Sequence, residues 1–455
     1  MNRTSAETPD GPSSSVDLIR EVFRYQSRFE GSTMVFKIDF PVTEDPSFPY
    51  LVKDLALLAR TGFRVVIVPG AKEWIDSVLK EYGIVSRYTG GARITTSVAM
   101  PFVEMAAFHV AARFMTGISA EKTDAVIGNF VRARGLGVSG GVDMGHTGAV
   151  DRIFTDSIDT VLSQGMIPIL PCIGWSSAGK PYNVPSDEIA LAASTALKAV
   201  KLFVISVHEG LRTGRCRLPQ NFETLKEPSD ADGRIRRLTP QEAEAVLSLN
   251  DPGTGVSGVK ALAELRLAVQ ACRAGVDRVH LIDGREEGAV LRELFSNLGA
   301  GTMIYTDDYE AIRALRSGDI PDILRMMEPL MQEGILVRRG AEDIQEKQND
   351  YAVFDLDGRI HACGALHDRG EGQGEIAALA TDPSFTDAGL GSKIVRYLVD
   401  RAKKQGMKRV FVLTTRTHDW FEALGFRECG VESLPEERRK SYDKNRKSNI
   451  FALEI

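Results

Sequence analysis

Residues 374–406 read GEIAALATDPSFTDAGLGSKIVRYLVDRAKKQG. A strand rich in small and apolar residues runs to Asp382-Pro383. A short loop follows with Gly389 and Gly391, and the spacing of Ile394, Val395, Leu398 and Val399 predicts a helix opening at about Ser392. A glycine-containing turn at a helix start exposes backbone N–H groups that have no partner in the helix. With the helix dipole they favour a phosphate or pyrophosphate. Taken alone the pattern is weak, because plain turns share it.

The surroundings give it meaning. Upstream lie three short strand patterns, YAVFDLDGRI (351–360), IHACGALHD (360–368) and GEIAALATD (374–382), with an Asp-Gly hairpin signal between the first two. Before them, IRALRSGDIPDILRMMEPLMQEG (312–334) reads as a strand and a helix, and RVFVLTT (409–415) with WFEALGFRECG (420–430) follows the loop. This order predicts an α+β domain with an antiparallel meander over residues 305–455.

Residues 16–304 read differently. TMVFKIDF, FRVVIVPG, MIPILP, KLFVISV and VDRVHLID are nearly continuous apolar runs, each joined to the next through a helical pattern. Such runs predict a buried parallel sheet with helices on both faces, an α/β sandwich. VDLIREVFRYQSRFE (16–30) predicts a helix whose apolar stripe packs on this chain or on another subunit. Residues 1–15, MNRTSAETPDGPSSS, lack an apolar h-region and predict a disordered lead-in.

Bulk properties narrow the classes. A net charge of −6 over 455 residues gives no support for nucleic acid or a membrane surface as partner. No apolar run reaches the ~20 residues of a membrane span. The five cysteines are scattered and the seven histidines form no ligand pattern, so neither disulfides nor a metal are expected, and a cytoplasmic location fits.

This order of meander, loop, helix and late strands resembles the GNAT acetyltransferase family, which implies transfer of an acyl group to an amine and sets the chemical needs. An ammonium must lose a proton, the oxyanion needs a donor, and a leaving thiolate must be protonated. Glu375 sits on the strand just before the loop and is flanked by IAALA, so a desolvated carboxyl with a raised pKa would suit a general base; a surface glutamate on an edge strand would look the same. Thr414 and Thr415 end the next strand and offer hydroxyls, or are simply β-branched strand residues. Arginines near 338–339 and 438–446 are a solvated face or partners for an acidic substrate.

The second domain resembles the GNAT acetyltransferase family, whose Arg/Gln-x-x-Gly-x-Gly/Ala loop cradles the coenzyme A pyrophosphate. Here the loop is Thr386-Asp387-Ala388-Gly389-Leu390-Gly391, with both glycines present and Thr386 in place of Arg or Gln. The first domain resembles the amino-acid kinase family, closest to N-acetylglutamate kinases. The segments that carry this are Ile169–Gly174, Tyr182-Asn183, Asp187, KLFVISVHEGL (201–211), Gly258-Val259-Lys260 and RVHLIDGREEGAVLRELFSNLGAGTMI (278–304). Two such domains in this order, with GILVRR (334–339), LTTRTHDWFEALGF (413–426) and LPEERRKSYDKN (434–445), resemble the N-acetylglutamate synthase family.

That resemblance implies acetyl-CoA as cosubstrate, L-glutamate as acceptor and the first step of arginine biosynthesis. It implies Glu375 as base and Thr414 as proton donor. Leu379, Ala380, Thr381, Thr386, Asp387, Ala388, Gly389, Leu390, Gly391 and Ser392 would hold the coenzyme, and Arg339, Arg416, Arg438, Arg446 and Ser448 the glutamate. His280, Asp283, Glu293, Gly299 and Gly301 would receive L-arginine as effector, in a homo-oligomer, a hexamer built partly by interlaced N-terminal helices. Lys37, Asp187 and Lys260 match kinase positions, but Ile38-Asp39-Phe40-Pro41 and Pro69-Gly70-Ala71-Lys72-Glu73 lack the glycines that let backbone approach phosphate, so no ATP-dependent activity is expected. Two alternatives stand beside this reading: a bifunctional synthase and kinase, and a non-catalytic arginine sensor.

Overall fold

The computed structural model describes residues 29–219, 233–250, 259–295, 299–306, 310–356, 358–382, 389–416, 418–443, 446 and 448–455, with residues 23 and 26. The expected lead-in lies outside these residues, as does most of the expected first helix, of which Phe23, Gln26 and Phe29 are helical. The chain divides into two compact units, Met1–Thr306 and Asp307–Ile455.

The first unit is built on an eight-stranded sheet. Its order is Arg237–Leu238, Thr302–Tyr305, Arg278–Asp283, Lys201–Ser206, Thr33–Ile38, Arg64–Pro69, Ile167–Ile169, Ala125–Ile127. The central strands are buried on both faces, which is why they read as unbroken apolar runs. Met34, Phe36 and Ile38 point to one side, under the helices Phe48–Arg60 and Met100–Ala120. Val35 points to the other, under Ser186–Ala196 and Val259–Arg273.

Two features depart from the all-parallel expectation. Thr302–Tyr305 runs antiparallel to Arg278–Asp283, because the chain leaves the sheet at Asp283 and re-enters at the same end, with Thr302 opposite Leu281. A Cβ on Gly301 would fall against the Leu281 carbonyl oxygen, so only glycine allows this re-entry. A separate four-stranded sheet is formed by Pro181–Asn183, Ile173–Trp175, Val131–Gly135 and Gly148–Ile153. Its strands are short and broken by glycines, and they carry no periodic signal in the sequence.

The second unit is a seven-stranded sheet ordered Glu310–Ala314, Tyr351–Leu356, Arg359–Asp368, Gln373–Thr381, Arg409–Thr414, Asn449–Glu454, Arg427–Cys429. Every neighbouring pair is antiparallel except Gln373–Thr381 with Arg409–Thr414. That parallel pair is joined through the helix Leu390–Lys404, the crossover a parallel connection needs. Ile394 and Leu398 of this helix meet the sheet where Gly364 leaves room. The helix Ile320–Gln332 covers the opposite face through Ile323, Met327 and Met331.

A methyl group at Gly364 would sit 2.8 Å from Ile394 Cγ2 and 2.9 Å from Leu379 Cδ2. Gly364→Ala should therefore lift the crossover helix and destabilise this unit by about 1–3 kcal/mol, read as a lower urea midpoint with an unchanged slope.

Candidate active site

Gln373–Thr381 has two ladder partners at its start and one at its end. Gln373 to Ile376 pair with Arg409 to Val412, and the parallel ladder stops there. On the other side the strand stays paired to Arg359–Asp368 as far as Thr381, across a register shift. The shift coincides with Ala378, which takes φ of +54°. A left-handed alanine costs about 1–3 kcal/mol, and a bulge of this kind bends its strand. The backbone of Leu379, Ala380 and Thr381 is thus turned away from Arg409–Thr414, and a cleft opens between the two strands.

The Leu390–Lys404 helix starts at the far end of this cleft. Gly389 is its cap, with φ of +66° and open space where a side chain would project. A Cβ on Gly391 would lie 3.3 Å from the Trp420 ring and 3.7 Å from Thr381 Cγ2, so the helix start is pressed against the end of the strand. The first free N–H groups of the helix, at Leu390, Gly391 and Ser392, therefore face the mouth of the cleft. The helix opens at Leu390, two residues before the sequence reading placed it, because Gly389 supplies the turn. Thr386, Asp387 and Ala388 lie outside the described residues.

Glu375 is an interior strand residue, 4% exposed, and not an edge glutamate. Two arginines grip its carboxylate. Arg438 is bidentate, Nε to Oε2 at 2.9 Å and a terminal nitrogen to Oε1 at 3.0 Å, and Arg369 Nε donates to Oε2 at 2.7 Å. Burial alone pushes this carboxyl up; the hydrogen bonds and charges of Arg438 and Arg369 outweigh it and hold Glu375 below the ordinary carboxylate value. The expected raised pKa is therefore overturned: the apolar neighbours in sequence are real, but the deciding groups come from elsewhere in the chain. Arg438, expected on the substrate, is here bound to Glu375.

His367 lies directly across the ladder from Glu375, its Nδ1 2.6 Å from Asp350. Thr414 ends its strand, its hydroxyl donating to the Arg416 carbonyl. By strand alternation it falls with Val412 on the crossover-helix side, while Glu375 and its ladder partner Phe411 lie on the other. Arg416 pairs with Glu333 at 3.1 Å, and Arg446 donates to the carbonyls of Gly334 and Ile335 at 3.0 and 2.8 Å. Both converge on the loop after Ile320–Gln332. Arg339 follows this loop and bonds the Val337 carbonyl, and Ser448 is buried, its carbonyl accepting from Tyr442. Arg369 was missed by the sequence reading. Its signal was the hairpin Arg-Gly-Glu-Gly-Gln-Gly at 369–374, which folds it back over Glu375.

In the first unit, Lys37 lies 2.6 Å from Asp39 and 2.8 Å from Asp187, and Lys260 lies 3.5 Å from Asp39 and 3.3 Å from Glu73. Burial would lower the Lys37 ammonium, but the two carboxylates more than reverse it. The kinase-position lysines are thus engaged by acidic side chains rather than presented to a phosphate.

Four of the expected effector residues, His280, Glu293, Gly299 and Gly301, come together, and Asp283 lies apart from them. His280 Nδ1 lies 2.6 Å from Glu293, whose other oxygen accepts from the backbone N–H groups of Ala300 and Gly301 at 2.5 and 2.9 Å. Burial lowers His280 strongly, so a neutral ring donates to an ionised Glu293. A Cβ on Gly299, at φ of +64°, would lie 2.8 Å from Glu293 Oε2. Asp283 already holds a guanidinium: Arg285 Nε and a terminal nitrogen reach its two oxygens at 3.0 and 2.7 Å. Arg285 was not anticipated.

Residues 41–283 match the amino acid kinase family and residues 320–426 the acetyltransferase (GNAT) family. The chain is 35% identical over 448 residues to an amino-acid acetyltransferase of Photobacterium profundum, across 96% of this chain and 97% of that protein. It is 30% identical to a crystal structure of N-acetylglutamate synthase from Neisseria gonorrhoeae complexed with coenzyme A and L-arginine. That match has a TM-score of 0.82 and covers 97% of this chain and 99% of that one. The same enzyme complexed with coenzyme A and N-acetyl-glutamate gives a TM-score of 0.59 at the same identity and coverage. The chain therefore belongs to the amino-acid acetyltransferase family, that of the N-acetylglutamate synthases, in which an amino-acid-kinase fold is joined to a GNAT domain.

Proposed function

We propose that this protein transfers the acetyl group of acetyl-CoA to L-glutamate, the first step of arginine biosynthesis, and that L-arginine binds its first domain and regulates the rate. In this reading residues 16–304 form the regulatory domain and 305–455 the transferase, in a cytoplasmic homo-oligomer, a hexamer. Among the described residues no helix is long and apolar enough to cross a membrane. The observation that carries the transferase assignment is the cleft between Gln373–Thr381 and Arg409–Thr414, with a glycine-capped helix start at one end and a buried carboxylate beside it.

Acetyl-CoA supplies an activated thioester. The N–H groups at Leu390, Gly391 and Ser392 suit its pyrophosphate, and the turned-away backbone of Leu379, Ala380 and Thr381 suits an extended amide-bearing chain. Arg438 exchanges Glu375 for a carboxylate of glutamate, and Arg339, Arg416, Arg446 and Ser448 complete the acidic-substrate pocket. Glu375, released from one of its two guanidiniums, becomes the stronger base and draws the proton from the substrate ammonium. Thr414 returns a proton to the thiolate from the opposite side of the cleft.

Four outcomes test this. Glu375→Gln should lower kcat with glutamate about 100-fold or more at neutral pH, measured as thiol release. Because Glu375 is held low, the acid limb of kcat/KM in the unaltered enzyme lies below its ordinary value. Removing one guanidinium weakens the grip on the ionised form, so Arg369→Gln should move that limb to higher pH with little change in KM for glutamate, whereas Arg438→Gln should move it and raise KM as well. Arg285→Gln removes the resident guanidinium from Asp283 and should lower the arginine concentration giving half-maximal response; Glu293→Gln should abolish the response. With Mg·ATP and N-acetylglutamate, ADP release should stay at the background rate, since Asp39 and Glu73 oppose phosphate; turnover above it would favour the bifunctional reading.

A further inference from the structure

The first unit contains a cavity of about 340 Å³ whose wall includes Lys37, Asp39, Glu73, Asp187, Lys260 and Glu264. Glu264 projects from the Val259–Arg273 helix and is 5% exposed. Its Oε1 has no hydrogen-bond partner. A buried carboxyl oxygen left without a donor costs about 1–3 kcal/mol, so this one is either a standing defect or an acceptor kept for a ligand. Desolvation pushes the group up to about 7, outweighing the charge of Lys37, a hydrogen bond with Ser206 and the charge of Lys260.

The charge around it decides which ligand fits. Two ammonium groups, Lys37 and Lys260, face the four carboxylates of Asp39, Glu73, Asp187 and Glu264. Lys37 is saturated by Asp39 and Asp187, and Lys260 by Asp39 and Glu73. Both lysines spend their close ion pairs on these other carboxylates, and Oε1 of Glu264 has no donor. At the rim, Lys72 lies 5.2 Å from the centre of the Tyr88 ring and Arg93 is paired to Asp76. The floor is therefore electronegative, hostile to a polyphosphate and short of one cation.

We propose that this cavity is a binding site for a small molecule bearing a protonated primary amine, whose ammonium donates to Glu264. A diamine and an amino-acid zwitterion share that chemistry. The zwitterion would also offer a carboxylate to Lys72 at the rim.

Isothermal titration of the full chain with putrescine, L-lysine and Mg·ADP tests this. One saturable site per chain is expected for putrescine, for L-lysine or for both, with affinity about tenfold or more weaker in Glu264→Gln. This substitution keeps the side-chain volume and removes a desolvation cost, so the variant should fold. Glu73→Gln, at the open side, is a second variant expected to weaken binding several-fold. Binding of putrescine alone identifies a simple cation site, and preference for L-lysine a zwitterion site. The proposal is overturned if neither amine saturates, if both variants bind as tightly as the unaltered protein, or if Mg·ADP binds.

Discussion

The second unit depends on one strand that changes partners along its length. Gln373–Thr381 is clamped between two neighbours as far as Ile376 and then bends at Ala378 away from one of them. A sheet that stayed fully paired would have no cleft, and the backbone of Leu379 to Thr381 would be spent on a ladder. The bulge costs local strain, and the cost is met by the packing around it: Ala378 and Ala380 are buried under Ile320–Gln332, and Gly364 lets the crossover helix close from the other side. The same bend leaves Glu375 on the last paired stretch, rigid and buried, immediately before the opening. The carboxylate and the helix start are thus placed by one backbone feature.

The first unit has an amino-acid-kinase fold in which the lysines at kinase positions are paired with carboxylates. Its sheet, with Lys37 on a central strand and Asp187 at the start of the Ser186–Ala196 helix, brings charged groups to one end of the strands, where open α/β sheets bind ligands. A phosphoryl-transfer site needs cations facing inward and backbone close to phosphate. Here Asp39 stands between Lys37 and Lys260, and a Cβ on Gly70 would lie 3.0 Å from Asp39 Oδ1. Three carboxylates beside two lysines convert an anion site into one with surplus negative charge before Glu264 is counted.

Much of this was legible in the sequence where a feature is local. The apolar runs fixed the buried strands because burial on both faces leaves no polar alternation to misread. Gly389 announced a turn because a positive φ is costly for other residues. Gly358, with φ of +75°, did the same for the hairpin of the meander. What the sequence did not show is what arrives from a distance. The pKa of Glu375 is set by Arg438, sixty-three residues away in sequence, and its apolar neighbours pointed to the opposite sign. The antiparallel entry of Thr302–Tyr305 depends on which end of the sheet the chain returns to, which no periodicity encodes. Asp283 and Arg285 are two residues apart, yet their bidentate pair needs the turn after the strand to be known first.

A common logic links these surprises. At Glu375 and at Asp283 the carboxylate is already held by an internal guanidinium. A ligand that takes over one side of such a pair breaks one charge-assisted contact while forming another. The net gain is then small compared with binding to an uncompensated charge, because no desolvated charge is left bare in either state. Such sites respond at high ligand concentration and over a narrow range of free energy. Glu264 is the contrast. Its Oε1 has no internal donor, so a ligand N–H reaching that oxygen recovers the cost of an unpaired buried acceptor without displacing a guanidinium.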